Sequence, residues 1–149
     1  PRFVEQALRG EPITVFGSGQ QSRCFADVSD VVTALILLID IPEAAGQVFN
    51  IGNPEEITIG ELAGLVKEMT ESASPIRLIP YDEAYQPGFE DMQRRVPNIE
   101  KLHRLTGFSP KIKLAQIAHR VITGKLQEME TDVPVMPGPS MGVRFGVRQ

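Results

Sequence analysis

The apolar residues come in short clusters whose spacing switches repeatedly between a helical and a strand-like period. That switching restricts the chain to a mixed α/β fold of short elements. Phe3-Val4 followed by Ala7-Leu8 has the spacing of a short amphipathic helix, and Gly10 stands where a C-terminal cap belongs. Ile13-Thr14-Val15-Phe16 is β-rich and runs into Gly17-Ser18-Gly19, a strand followed by a turn. Ser22–Asp27 reads as a second extended piece. Ser29 or Asp30 then caps a helix reaching Ile39, whose Val31, Val32, Leu35, Ile36, Leu38 and Ile39 imply deep burial. Val48–Gly52 has the composition of a strand leaving the core, broken by Asn53-Pro54. Thr58-Ile59-Gly60-Glu61 is a capping box, and the helix it opens carries Leu62, Leu65, Val66 and Met69 on one face. Ile76–Pro80 reads as another strand, and Tyr81–Val96 as a long polar loop. Asn98 caps a short helix with Leu102 and Leu105 that stops at Gly107, and Leu114, Ile117, Ala118, Val121 and Ile122 mark a last amphipathic helix.

Composition narrows what such a fold does. With 149 residues, 42% hydrophobic and 23% charged, the chain supports one globular domain with a real core. A net charge of -4 and a pI near 5.2 argue against a nucleic-acid partner, which calls for a basic face. The longest apolar run, Val31–Ile41, is far short of the roughly 20 residues of a membrane-spanning helix. The single cysteine, Cys24, rules out an internal disulfide and fits a reducing cytoplasm. Pro1-Arg2-Phe3-Val4 reads as the middle of a longer chain. Toward the other end, Pro134, Pro137, Gly138, Pro139, Gly142 and Gly146 crowd a stretch with no apolar period. The expected division is therefore a folded part over residues 1–123 and a disordered tail over 124–149.

Most familiar catalytic patterns are missing. A dinucleotide loop needs a strand, a Gly-rich turn and a helix start in succession. Gly17-Ser18-Gly19-Gln20-Gln21 lacks the third glycine and leads into an extended piece, so it reads as a tight turn. No P-loop occurs. Neither Tyr81 nor Tyr85 has a lysine four residues on to lower its phenol pKa; those positions hold Tyr85 and Phe89. His103 and His119 lie on helical patterns without a neighbouring nucleophile, and one cysteine with two histidines matches no zinc spacing. What remains are Arg23, just past the glycine turn, and Arg94 and Arg95 at the end of the long loop. Guanidinium groups on loops suit bidentate phosphate capture, although solvated charges or surface ion pairs explain the same residues. Phe16 offers a face for a base or a place in the core.

Taken in order, these pieces resemble the second half of the extended short-chain dehydrogenase/reductase family. The likeness is to NAD-dependent nucleotide-sugar epimerases and dehydratases of the UDP-glucuronate decarboxylase and UDP-glucose 4-epimerase kind. Four segments carry it: Pro1–Leu8, Gly10–Gly19, Arg23–Val32 and Phe49–Ile59. A fifth, weaker one runs from Arg94 through Asn98 to Leu105–Pro110. The resemblance implies an α/β substrate-binding part of short strands and helices without the N-terminal Rossmann core. It implies binding of the base and diphosphate of a UDP- or dTDP-sugar. Phe16 would lie against the base with Thr14 beside it, Arg23 would hold the diphosphate, and Arg95 would reach phosphate or sugar with Arg94 next to it. Asn53 or Glu56 would border the base or ribose. Asp27 stands where the family has Tyr or His, and is expected to pair with Arg23; Asn98 stands where Asp usually opens the helix. NAD is the cofactor of the complete enzyme, but the residues that hold it, the Tyr-x-x-x-Lys pair and the helices of the family's homodimer all precede the matched region. The chain is thus expected to be inactive by itself. The alternatives are a complete, non-catalytic nucleotide-sugar-binding module and a structural interaction domain in which Phe16, Arg23 and Arg95 do not converge.

Overall fold

A computed structural model describes residues 1–84, 86 and 91–131. In chain order the elements are α1 (Arg2–Leu8), β1 (Ile13–Phe16), β2 (Ser22–Cys24), α2 (Val28–Ile39), β3 (Glu56–Thr58), α3 (Ile59–Met69), β4 (Ile76–Ile79), α4 (Tyr81–Ala84), α5 (Glu100–Thr106) and α6 (Leu114–Thr131), with a 3-10 turn at Pro42–Ala44. β1 pairs with β4 in parallel, Ile13 opposite Ile76 and Phe16 opposite Ile79. β2 pairs with β3 antiparallel, with Arg23 opposite Ile57 and Cys24 opposite Glu56. This is the mixed architecture of short strands and helices that the apolar spacing implies.

The alternation along β1 sends Ile13 and Val15 into the main core, where they meet Phe3, Val4 and Ala7 of α1, Ala63 and Val66 of α3 and Ile122 of α6. α3 starts where its sequence says it must. The Thr58 hydroxyl accepts the Glu61 backbone N–H at 3.1 Å, and the Glu61 carboxylate accepts the Thr58 N–H at 2.9 Å. A second, smaller core of Ala34, Leu102 and Phe108 is flanked by Leu38, Phe49 and Ile51. α5 stops at Gly107, which takes the left-handed conformation (φ 69°) that ends helices.

Several expectations give way. The cap of α2 is Asp27, one turn edge earlier than Ser29 or Asp30, its carboxylate accepting the Ser29 N–H at 2.9 Å. Asp30 is buried instead and receives the backbone N–H groups of Lys111 and Ile112. The deep burial expected of α2 does not occur. Only Asp30 and Ala34 are buried, whereas Val28 is 73% and Ile39 80% exposed, because no described element covers that side of the helix. Val48–Gly52 forms no strand. Among the described residues no strand lies alongside to accept its backbone bonds, Val48 is 84% exposed, and Phe49 and Ile51 anchor the segment to the smaller core. Part of the expected loop after Pro80 is helical, at Tyr81–Ala84. α5 begins at Glu100, with the Asn98 side chain still accepting the Glu100 N–H at 2.9 Å. The last helix continues to Thr131, so residues 124–131, assigned to the tail from sequence, are helical. Lys125-Leu126-Gln127-Glu128-Met129-Glu130 are all good helix formers, and Lys125 pairs with Glu128 at 2.6 Å. Residues 132–149 lie outside the described residues.

Asp27 pairs with Arg120 of α6 at 2.7 Å, not with Arg23. The Ser29 hydroxyl and N–H, with Arg120 beside them, hold the Asp27 carboxyl below its ordinary value of 3.8. The lowered folded-state value means that this stabilisation is complete above the unfolded pKa and is lost as pH falls through the folded one. The wild-type chain is therefore expected to lose more urea resistance than Asp27→Asn between about pH 5 and pH 2. Parallel pH profiles of the two chains would contradict this.

Candidate functional site

β2, the Asn50–Asn53 segment and the Arg95–Asn98 segment enclose a cleft of about 440 Å³. Each wall is held by local chemistry. The antiparallel bonds to β3 fix β2 on one side, and on the other Ser22 donates its N–H to the Gln93 carbonyl at 2.8 Å. The two remaining segments are stitched by Asn50 Nδ2 donating to the Asn98 carbonyl at 3.2 Å. They also approach closely at Gly52, where a Cβ would stand 3.0 Å from Pro97 Cγ.

Arg23 is the most constrained charge in the cleft. Its Nη1 donates to the Ser22 and Met92 carbonyls, each at 2.7 Å, and its Nη2 to Asp91 Oδ1 at 2.6 Å. The other Asp91 oxygen accepts from the Tyr81 hydroxyl at 2.7 Å. Tyr81 in turn packs onto Gly17, whose positive φ of 70° and bare Cα admit the ring where a Cβ would lie 2.4 Å from it. Asn53 is 6% exposed, and its Oδ1 accepts the Glu55 N–H at 2.9 Å. Arg95 lines the same cleft, is exposed, and has no side-chain ion pair among the described residues. Cys24 also lines it; burial and the Glu56 carboxylate raise its thiol pKa, which disfavours the reactive thiolate at neutral pH.

The expected site residues thus divide. Arg23, Asn53 and Arg95 share one cleft. Glu56 and Arg94 pair with each other at 2.9 Å beside it, Glu56 also accepting from the Ser22 hydroxyl at 3.0 Å. Thr14 and Phe16 do not line the cleft. Thr14 is bound by the Gln6 amide, and the Arg2 guanidinium lies 4.3 Å from the centre of the Phe16 ring. The sequence offers Tyr81 only as a tyrosine without its lysine and does not mark Asp91, because nothing in a polar loop shows which carboxylate will meet an arginine 68 positions away. His103 bonds the Phe108 carbonyl through Nδ1 at the end of α5, consistent with a structural role. Among the described residues no cluster of ligating side chains is suited to a metal, and no helix is long and apolar enough to cross a membrane. The Gly17–Gly19 turn joins β1 to β2, so its amides do not form the helix-start cradle that a dinucleotide pyrophosphate needs.

Residues 1–52 match the family described as the NAD dependent epimerase/dehydratase family. Across 132 residues the chain is 36% identical to a UDP-N-acetyl-alpha-D-glucosaminuronate decarboxylase of Bacillus cytotoxicus, covering 89% of this chain and 40% of that protein. Its first 52 residues thus carry the sequence of that family, and most of the chain is similar to part of this relative. The fold agrees with that likeness. The UDP-glucose 4-epimerase of Thermotoga maritima, solved with UDP-glucose, superposes with a TM-score of 0.74 at 28% identity over 85% of this chain and 38% of that one. MoeE5, solved with UDP-glucuronic acid and NAD, gives a TM-score of 0.73 at 25% identity over 85% of this chain and 40% of that one. The chain spans only 38–40% of the length of these three proteins.

Proposed function

We propose that this chain supplies the substrate-recognition part of a cytoplasmic nucleotide-sugar epimerase, decarboxylase or dehydratase. In this reading it grips the diphosphate of a UDP- or dTDP-sugar between Arg23 and Arg95. The observation that carries the reading is that these two guanidiniums, far apart in sequence, line one cleft together with the buried Asn53 amide. Two cationic forks match the charge and the acceptor geometry of a diphosphate, and an amide supplies both a donor and an acceptor for a ribose or base edge. Arg94 and Glu56 form the rim. Thr14 and Phe16 contribute only where the ligand extends beyond the cleft, and a base reaching Phe16 meets a ring over which Arg2 already stands. In the complete enzyme NAD supplies hydride transfer when bound; the residues described here do not fit it, and their part is to bind and orient the sugar nucleotide.

Calorimetric titration tests this directly. UDP is expected to bind the chain at least about tenfold more tightly than uridine, because the difference is the diphosphate held by the arginines. Equal affinity for the two ligands would rule the cleft out as a diphosphate site.

A further inference from the structure

We infer that Asp91, held by Tyr81, is a positioning residue that fixes the Arg23 guanidinium for phosphate before any ligand arrives. The inference rests on the reading of this cleft as a diphosphate site. A guanidinium carries five N–H donors. Three of those on Arg23 are taken, two by the Ser22 and Met92 carbonyls and one by Asp91. Nε–H and one Nη2–H have no acceptor among the described residues, and the side chain lines the cleft. The arginine is therefore neither loose nor saturated: it is pinned through one part of its fork and presents the rest. The Asp91–Arg23 pair is 22% and 19% exposed, shielded enough for its geometry to persist. Asp91 is itself fixed, since its second oxygen accepts from Tyr81 and Tyr81 is seated against Gly17. The chain of contacts Gly17–Tyr81–Asp91–Arg23 ties the turn after β1 to the phosphate-binding edge of β2. An arginine ordered in advance loses less side-chain freedom on binding.

The sign of the effect separates this role from simple charge. Asp91 is an anion beside a proposed anion site, so if it acted only through its field, its removal would tighten diphosphate binding. Positioning makes the opposite forecast. Asp91→Ala in the full chain is expected to weaken UDP and inorganic pyrophosphate alike, by about tenfold. It should cause no further loss when Arg23 is already alanine. Tyr81→Phe, which keeps the carboxylate and its charge, should act in the same direction but less, and it serves where Asp91→Ala lowers the melting temperature. Without ligand, 15N NMR should show separate Nη1 and Nη2 signals for Arg23 in the parent chain that merge in Asp91→Ala.

Unchanged or tighter binding in Asp91→Ala, or unresolved Nη signals in the parent, overturns the inference. So does a loss seen for UDP but not for pyrophosphate, or one that persists in the Arg23→Ala chain, because Asp91 would then touch the ligand itself. If Arg23→Ala leaves the affinity for both ligands unchanged, the diphosphate reading fails instead.

Discussion

Arg23→Ala is expected to weaken UDP-sugar binding by about tenfold or more, which corresponds to at least about 1.4 kcal/mol. A hydrogen bond to a charged group contributes about 1.5–3 kcal/mol, so loss of one such contact already reaches that figure. A second contribution comes from what the substitution leaves behind. Without the guanidinium, the Asp91 carboxylate beside it has lost its counter-ion and faces the ligand as an unneutralised anion. Arg23→Lys should fall between wild type and alanine, since it restores the charge but not the planar fork. Arg95→Ala should cost less, because Arg95 is exposed and solvent screens what it offers. Calorimetry on the three variants, with melting temperatures as a check on folding, measures the series. An affinity for UDP-sugar that ignores the identity of residue 23 removes Arg23 from the site.

Leu102→Ala should lower the unfolding free energy by about 3 kcal/mol, within the 2–5 kcal/mol seen when a buried leucine is truncated. Leu102 is 0% exposed and sits at the centre of the smaller core with Ala34 and Phe108. Ala34 has no side chain long enough to fill the space, and Phe108 is held at the backbone by Thr106 Oγ1, which accepts its N–H at 3.0 Å. The cavity therefore persists and carries its full cost. The consequence reaches the cleft, because Phe49 and Ile51 lean on this core and Ile51 lines the cleft wall. Leu102→Met, which keeps the volume, should cost under about 1.5 kcal/mol. Urea unfolding of the two variants decides the matter, and a loss below about 1 kcal/mol in the alanine chain would mean that the smaller core contributes little.

These residues also show which parts of the molecule were legible in its sequence. The start of α3 was, because a capping box is complete within four residues and needs no tertiary partner. β1 and β4 were, because their apolar content is concentrated and their ends are marked by glycine and proline. The surroundings of α2 were not. An apolar stripe states that burial is favourable without stating what provides it, and here the described elements leave it open. Val48–Gly52 has strand composition, but a strand exists only beside another, and Glu56–Thr58, with a single apolar residue, is the segment that found one. In the cleft, Arg23 and Arg95 stood out by residue type and by family resemblance. Asp91 and Tyr81 did not, since their roles arise from contacts the chain makes only after folding.

The parallel pairing of β1 with β4 sets an order in time. β2, α2, β3 and α3 all lie in the stretch of chain between the two partners, so Ile13 meets Ile76 only after a long loop has closed. The entropy of that closure is spent before the pairing returns anything. α3, begun by a cap that is local, is able to form early and offer Ala63 and Val66 as a surface on which β1 settles. The last strand to be added, β4, then completes the pair from outside. This one long-range meeting, and not the local helices, is the step expected to limit the rate at which the chain reaches its native state.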